Sequence, residues 1–272
     1  LRPQNDNSGP LKNDSDRKTT CHVEMISRQA IFLLSPQSSA LSPDLLRLNT
    51  EKRQESIIMK LHNVDYSLYL VTDRGLARGR SNLEIVTAAV DGGVTIVQLR
   101  EKDCPTLEFI EQARSFKAYL KARNVPLIIN DRVDIAQAVK ADGVHLGQTD
   151  MPLEAAKRIL GAEMIIGISA ESIEDALAAE KGGADYLGVS PIYATPTKTD
   201  TAPALGLRGL RDIRKAVKLP LVGIGGLNKD NAADVIRNGA DGVAVVSAIV
   251  AADDPEAAAR ELKQVIKKAQ KP

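Results

Sequence analysis

From Tyr66 onward, short apolar runs alternate with longer amphipathic stretches. The apolar runs are Leu68–Thr72, Thr95–Leu99, Leu127–Asn130, Gly143–Leu146, Ile165–Ser169, Tyr186–Val189, Leu221–Ile224 and Gly242–Val246. They are short and β-branched, without strict apolar–polar alternation, as expected of strands buried on both faces of a parallel sheet. Between them the spacing predicts helices over Leu83–Gly92, Thr106–Arg123, Val133–Ala141, Pro152–Leu160, Ile173–Gly182, Gly209–Val217, Asn231–Asn238 and Pro255–Ala269. Strand then helix, eight times over, predicts an α/β fold closed as a (β/α)8 TIM barrel. An open doubly wound sheet is the alternative, but it rarely needs eight such units. Glycine-bearing turns such as GGVT at 92–95, KGGADY at 181–186 and NGADGV at 238–243 follow helices, as C-capping chemistry requires. They mark the bottom of the barrel, away from the strand ends that carry chemistry.

Residues 1–60 read differently. LRPQNDNSGPLKNDSDRKTT is polar and rich in Asn, Asp and Ser. Such a stretch buries too little apolar surface to offset its ordering entropy. Ser42, Pro43 and Asp44 predict the start of a short helix running through Lys60. The expectation is a poorly ordered, non-catalytic extension over 1–60 ahead of a catalytic barrel over 61–272. A translated upstream segment and the remnant of a longer fused protein are the alternatives. The chain begins with Leu1, and Met59 stands where a chain leading straight into the barrel would begin.

Composition narrows the picture. The 272 residues suit one barrel of roughly 200–250 residues plus a short extra segment. Apolar residues make up 43% of the chain and aromatics only 3%, with no Trp, so the core must be aliphatic. A net charge of +1 gives no reason to expect nucleic acid or an anionic membrane as partner. Cys21 and Cys104 form no metal or redox spacing, which suits reduced thiols. No apolar run approaches the ~20 residues of a membrane span, and the start lacks a secretory pattern. A soluble cytoplasmic protein is expected, with oligomeric state left open, a homo-oligomer included.

In this fold the active site forms at the C-terminal ends of the strands. The second strand ends in Gln98-Leu99-Arg100-Glu101-Lys102, which places two cations at the mouth. Arg grips phosphate oxygens with paired donors and Lys acts as a point charge; a solvated charge cluster is the plainer reading. The third strand ends in Asn130-Asp131 and the fourth leads to Asp150. Two carboxylates on neighbouring loops, facing Arg100 and Lys102, suit a hard cation such as Mg²⁺, although Asp131 could equally cap the next helix. His145 reads as structural. Ser169, closing the fifth strand, could donate to phosphate or cap a helix. The connection from Gly188 to Leu207 is long for a βα loop and carries Thr195, Pro196, Thr197, Lys198, Thr199 and Thr201, as a lid or binding loop would. Gly225 and Gly226 after the seventh strand, with Val246 and Ser247 after the eighth, occupy the common backbone phosphate site of such barrels. Two anion subsites follow, one metal-assisted and one metal-free, which suggests two small phosphate substrates, a diphosphate ester and a monophosphate.

The blocks YLVTDR, VQLREKD, INDRVDIA, DGVHLGQTDM, IGISA, YATPTKTD, VGIGGL and VVSAI, in this order across Tyr66 to Ala269, closely resemble the thiamine-phosphate synthase family. The resemblance implies an enzyme that joins 4-amino-2-methyl-5-pyrimidinylmethyl diphosphate to 4-methyl-5-(2-phosphoethyl)thiazole, releasing pyrophosphate. It implies that Gln98 to Lys102, Asn130, Ser169 and Lys198 contact the pyrimidine diphosphate, and that Asp131 and Asp150 hold magnesium. It places Thr195, Pro196, Thr197, Gly226, Val246 and Ser247 on the thiazole phosphate. Pro196 is the one visible departure, and it leaves the threonines and Lys198 in register. In this reading Arg100, Lys102, Lys198 and the metal ease the departure of diphosphate, the aminopyrimidine stabilises the resulting methylene cation, and the thiazole nitrogen attacks it. No side-chain nucleophile is needed, consistent with the lack of a Cys–His or Ser–His constellation. The alternatives are a thiazole tautomerase-like paralogue, a non-catalytic thiazole-phosphate-binding regulator, and another phosphate-binding barrel isomerase.

Overall fold

The computed structural model describes residues 64–195 and 203–270. The expected helix ending at Lys60, Met59, Cys21, and Pro196, Thr197, Lys198, Thr199 and Thr201 lie outside them. Eight parallel strands close on themselves in sequence order. They are β1 Leu68–Val71, β2 Ile96–Leu99, β3 Leu127–Asn130, β4 Gly143–Leu146, β5 Ile165–Ala170, β6 Tyr186–Val189, β7 Leu221–Gly223 and β8 Gly242–Val245. The helices are α1 Asn82–Asp91, α2 Thr106–Lys121, α3 Val133–Val139, α4 Leu153–Leu160, α5 Ile173–Gly182, α6 Gly206–Ala216, α7 Ala232–Arg237, α8 Ser247–Val250 and α9 Pro255–Ala269.

Successive strand residues point to opposite faces. Outward residues such as Leu68, Leu70, Val97, Leu99, Ile129 and Val144 pack against the helices. Inward residues form a separate, smaller cluster of Tyr66, Tyr69, Val71, Ile96, Ile128, Ile165, Tyr186, Val222 and Ala244. Glycine makes room for two inward rings, Tyr186 and His145. A Cβ on Gly167 would lie 2.1 Å from the Tyr186 ring, and one on Gly188 would lie 2.9 Å from His145.

The bottom of the barrel is closed by a device repeated four times. The N–H of each residue just before an even strand donates to the carbonyl of a residue at the start of the preceding odd strand. The pairs are Thr95–Leu68, Asp142–Leu127, Asp185–Ile166 and Asp241–Leu221. The side chain of the same residue then accepts that partner's N–H: Thr95 Oγ1 at 3.1 Å, Asp142 Oδ2 at 2.9 Å, Asp185 Oδ2 at 2.7 Å and Asp241 Oδ2 at 2.8 Å. Each pincer satisfies a strand-end N–H that the ladder leaves over. The aspartates of the ADG and ADY turns are therefore structural.

Local capping fixes helix starts. Ser81 and Glu84 form a reciprocal capping box on α1. Ser172 caps α5, and Asp254 caps α9 with Pro255 in its first turn.

Candidate active site

At the C-terminal mouth, β2, β3, β4 and β5 each bring polar side chains to the barrel interior. Asn130 stands opposite His145 in the strand register, and Ser169 opposite Gly188. Gln98 and Asn130 are buried. A buried amide persists only with a purpose for its donors and acceptors.

Asp131 adopts φ of 60°, a left-handed conformation uncommon outside glycine. Its N–H donates to the His145 carbonyl at 2.9 Å, and the Arg132 N–H donates to the Asn130 carbonyl at 2.7 Å, closing a three-residue turn. Holding such a residue costs on the order of 1–3 kcal/mol, and strain of this kind concentrates at functional sites. The N-cap of α3 is Arg132, with no side-chain cap, so Asp131 does not serve that helix. Its carboxylate instead meets Lys102 Nζ at 2.7 Å. Nor does Ser169 cap a helix, a role taken by Ser172.

Asp150 folds back on its own loop, Oδ2 accepting the Gly147 N–H at 2.7 Å. Asp131 and Asp150 lie within hydrogen-bonding reach of one another. Burial opposes ionisation of Asp131, but the Lys102 hydrogen bond and the one shared with Asp150 outweigh it and hold Asp131 below the usual carboxylate range. Burial, and next the hydrogen bond with Asp131, push Asp150 above it. Two adjoining carboxylates with opposed shifts repel one another when both are ionised, and a cation between them would relieve that repulsion.

Arg100 is braced from β1. Its N–H donates to Thr72 Oγ1 at 3.0 Å and its guanidinium to Asp73 Oδ2 at 3.1 Å. Asp73 also caps the 3-10 turn Arg74–Leu76. Beside these residues opens a cleft of about 410 Å³, lined by Asp73, Arg100, Lys102, Cys104 and Glu108 among others.

Two residues of the Gln98–Lys102 block turn away from the mouth. Leu99 is fully buried in the core between strands and helices. The Glu101 carboxylate is 5% exposed, paired with Arg74 Nε at 3.2 Å, and accepts from Asn82 Nδ2 at 2.8 Å. What these two present to the mouth is main chain.

Across the barrel, the loop after β7 lies on the start of the β6–α6 connection. Ile192 N–H donates to the Ile224 carbonyl at 2.9 Å and Tyr193 N–H to the Gly225 carbonyl at 3.1 Å. Gly225 has φ of 103°, and a Cβ there would lie 2.8 Å from Pro191. Gly226 has φ of 65°, and a Cβ there would lie 3.0 Å from the Ala194 carbonyl. This close approach needs glycine twice, and Thr195 follows directly after Ala194. Val246 follows β8 as the N-cap residue, and Ser247 opens the one-turn helix α8.

The strand order therefore groups Gln98, Arg100, Lys102, Asn130, Asp131, Asp150 and Ser169 on one side, and Thr195, Gly226, Val246 and Ser247 on the other. Sequence reasoning passed over Thr72 and Asp73, which brace Arg100, and Tyr69 and Tyr186 inside the barrel. The signal available was two tyrosines within strands, in a chain with five Tyr and three Phe.

A family model described as thiamine monophosphate synthase matches residues 68–249. The chain belongs to the thiamine monophosphate synthase family. It is 55% identical over 205 residues to the thiamine-phosphate synthase of Chloroflexus aurantiacus, covering 75% of this chain and 94% of that protein. It is 56% identical over 203 residues to that of Syntrophomonas wolfei, covering 75% of this chain and 97% of that protein. Among solved structures it is similar to a thiamine phosphate pyrophosphorylase from Pyrococcus furiosus, with TM-score 0.71, 43% identity, and coverage of 76% of this chain and 98% of that one. The matched region of the thiamine monophosphate synthase family takes in the barrel strands and both sides of the mouth. No helix among the described residues is long and apolar enough to cross a membrane.

Proposed function

We propose that this chain is a thiamine-phosphate synthase, joining 4-amino-2-methyl-5-pyrimidinylmethyl diphosphate to 4-methyl-5-(2-phosphoethyl)thiazole and releasing pyrophosphate. The observation that carries this reading is the Lys102–Asp131–Asp150 cluster at the mouth of a barrel of this family. A barrel handling only the thiazole phosphate would have no use for strained Asp131, its carboxylate partner and a lysine paired with Asp131.

The carboxylate pair fits a magnesium ion. Magnesium is commonly held by one or two carboxylates, with substrate phosphates and water completing the shell. Among the described residues no cluster of three or more His, Cys, Asp or Glu forms an all-protein cage, and two adjoining carboxylates suit this mode. When bound, the ion supplies charge neutralisation on the diphosphate.

The chain's own groups do the rest. Lys102 and Arg100 face the charge that develops on diphosphate as the carbon–oxygen bond lengthens. Asp73 and Thr72 hold Arg100 so that little reorganisation is needed. Gln98 and Asn130 position the pyrimidine, and Ser169 and Lys198 add donors to its diphosphate. Gly226, Val246 and Ser247 hold the thiazole phosphate through main-chain N–H groups, with Thr195 and Thr197 at the ring. Placing the thiazole nitrogen beside the methylene carbon supplies much of the remaining rate. In this reading residues 1–60 are a non-catalytic extension.

The test is direct. Purified protein with both substrates and Mg²⁺ should yield thiamine monophosphate and pyrophosphate in equal amounts. Absence of product with both substrates present would overturn the assignment.

A further inference from the structure

One hydrogen-bond chain crosses the barrel interior from β2 to β5. Gln98 Nε2 donates to Tyr69 Oη at 2.9 Å. Tyr69 and Tyr186 hydroxyls meet at 2.8 Å. Tyr186 Oη meets His145 Nδ1 at 3.0 Å, and His145 Nε2 meets Ser169 Oγ at 3.0 Å. Both tyrosines are 1% exposed. Burial keeps both phenols protonated by raising them above their ordinary range. Each hydroxyl therefore brings one proton to the chain.

A chain of this kind has two self-consistent senses. In one, protons point from Gln98 toward Ser169; in the other, from Ser169 toward Gln98. The Gln98 amide decides between them, because an amide nitrogen only donates. With Nε2 donating to Tyr69, the Tyr69 proton cannot point back at Gln98, and it goes to the other partner of that hydroxyl, Tyr186. The Tyr186 proton then goes to His145 Nδ1, which must be the bare nitrogen. A neutral imidazole with bare Nδ1 carries its proton on Nε2. That proton goes to Ser169 Oγ, and the serine's own proton is left to donate elsewhere.

We propose that Tyr69, Tyr186 and His145 are positioning residues that orient the Ser169 hydroxyl as a donor toward the diphosphate, with the donor sense set by the Gln98 amide at the other end. The assignment of Ser169 to the diphosphate rests on the proposed function; the chain itself does not. Gly167 and Gly188 belong to the same device, since a Cβ on either would strike the Tyr186 ring or the His145 ring. In the reversed sense, His145 Nε2 would accept the serine proton and withdraw it from the substrate. The same five residues would then leave the diphosphate one donor short. Consecutive hydrogen bonds polarise one another, so the sense is held cooperatively.

The experiment has two arms on the full-length protein. In the first, ¹⁵N-histidine labelling reads the protonation state of each ring nitrogen at neutral pH. The chain has three histidines, so a His145→Gln variant assigns the signal. The expected result is a pyridine-like Nδ1 and a pyrrole-like Nε2, with loss of that single tautomer in Tyr186→Phe. A pyrrole-like Nδ1 with pyridine-like Nε2, or a doubly protonated ring, overturns the proposal whatever the protein's activity. In the second arm, kcat/KM for the pyrimidine diphosphate should fall about tenfold in Tyr186→Phe, the loss of roughly one hydrogen bond to a charged group. KM for the thiazole phosphate should stay unchanged. In a Ser169→Ala background, Tyr186→Phe should have no further effect, because the tyrosine acts through the serine. Additive losses in that double variant would show a merely structural role and overturn the proposal. A protein with the expected tautomer but no synthase activity would sink the proposed function and leave the donor sense standing.

Discussion

A Cβ on Gly167 would sit 2.1 Å from the Tyr186 ring, so the strand β5 glycine and the strand β6 tyrosine occupy one volume between them. They are direct partners in the strand register. Both point inward, and the ring fills the space that an ordinary residue on β5 would claim. Gly167→Ala forces the ring or the strand to move, and overpacking of this kind costs about 1–3 kcal/mol or more. Gly161→Ala is the contrast: φ is 74° but nothing lies within 4 Å of the added carbon. Its cost is backbone strain alone: at φ 74° and ψ −174° it occupies a region essentially reserved for glycine, about 1–3 kcal/mol. Urea unfolding should show both variants destabilised. Gly167→Ala should also lower synthase activity in the folded fraction, which Gly161→Ala should not. Equal activity in the two variants would show that Tyr186 can move without consequence.

Asp131→Asn and Asp150→Asn should each lower turnover at least about 100-fold, the scale of losing a preorganised electrostatic contact. Their folds should survive. Asn tolerates the left-handed conformation of Asp131, and the Lys102 partner is half exposed, so the lost ion pair is worth about 0–1 kcal/mol. Wild-type protein in EDTA should lose activity and regain it with added Mg²⁺. Full activity in EDTA, or normal turnover in both variants, would remove the metal from the proposed mechanism.

Asp185 gives a stability prediction with a definite sign. Burial is the main cause that raises its carboxyl above the ordinary 3.8, only partly offset by the Ile166 N–H and Lys157. The folded state therefore holds this proton at pH values where the unfolded state has released it. Its contribution to stability is fully present below the unfolded value and is lost as pH rises through the raised folded value. Asp185→Asn keeps an oxygen for the Ile166 N–H and carries no charge to bury. Relative to the variant, wild type should thus be most stable in acid and lose ground as pH rises toward neutrality. Paired urea titrations from about pH 3 to pH 7 check this, since the difference between the two proteins isolates the one group. A gap that moves the other way would show that the carboxylate is better solvated than its burial implies.

The barrel was legible because every strand is buried on both faces, so each appears as a mostly apolar run within one or two residues of its true limits. The inward direction of Gln98, Asn130, His145 and Ser169 was not legible, since no strict alternation along the runs marks one face. Helix α6 begins at Gly206, ahead of the expected Gly209, because two glycines there resemble breakers while Leu205 and Leu207 pack on the core. Helix α8 has one turn, too short to leave a period. The Glu101 carboxylate could not be placed from sequence. Its partner Asn82 lies 19 residues away on α1, and nothing local signals that pairing. The Tyr69–Tyr186 contact spans 117 residues and exists only once the barrel closes. Strand order could bring Asp131 and Asp150 to neighbouring loops, but not the left-handed turn that aims one of them at Lys102.

The boundary between extension and barrel can be tested by deletion. Tyr66 is 7% exposed and sits in the inward cluster with Tyr186, ring centroids 5.1 Å apart. Its carbonyl lies 1.8 Å from where a Cβ on Gly242 would stand, so its main chain is laid against the start of β8. Asp65 accepts the Ser67 N–H at 2.9 Å and pairs with Lys263 of α9 at 3.0 Å. The plug at the bottom of the barrel thus begins near Asp65. A chain starting at Met59 keeps all of it and should retain full activity and unfolding midpoint. A chain starting at Ser67 loses a buried aromatic from the inner core, a change worth about 3–5 kcal/mol, and should be strongly destabilised. Loss of activity in the Met59 chain would mean that the segment before it contributes to catalysis, and the division near residue 60 would have to be abandoned.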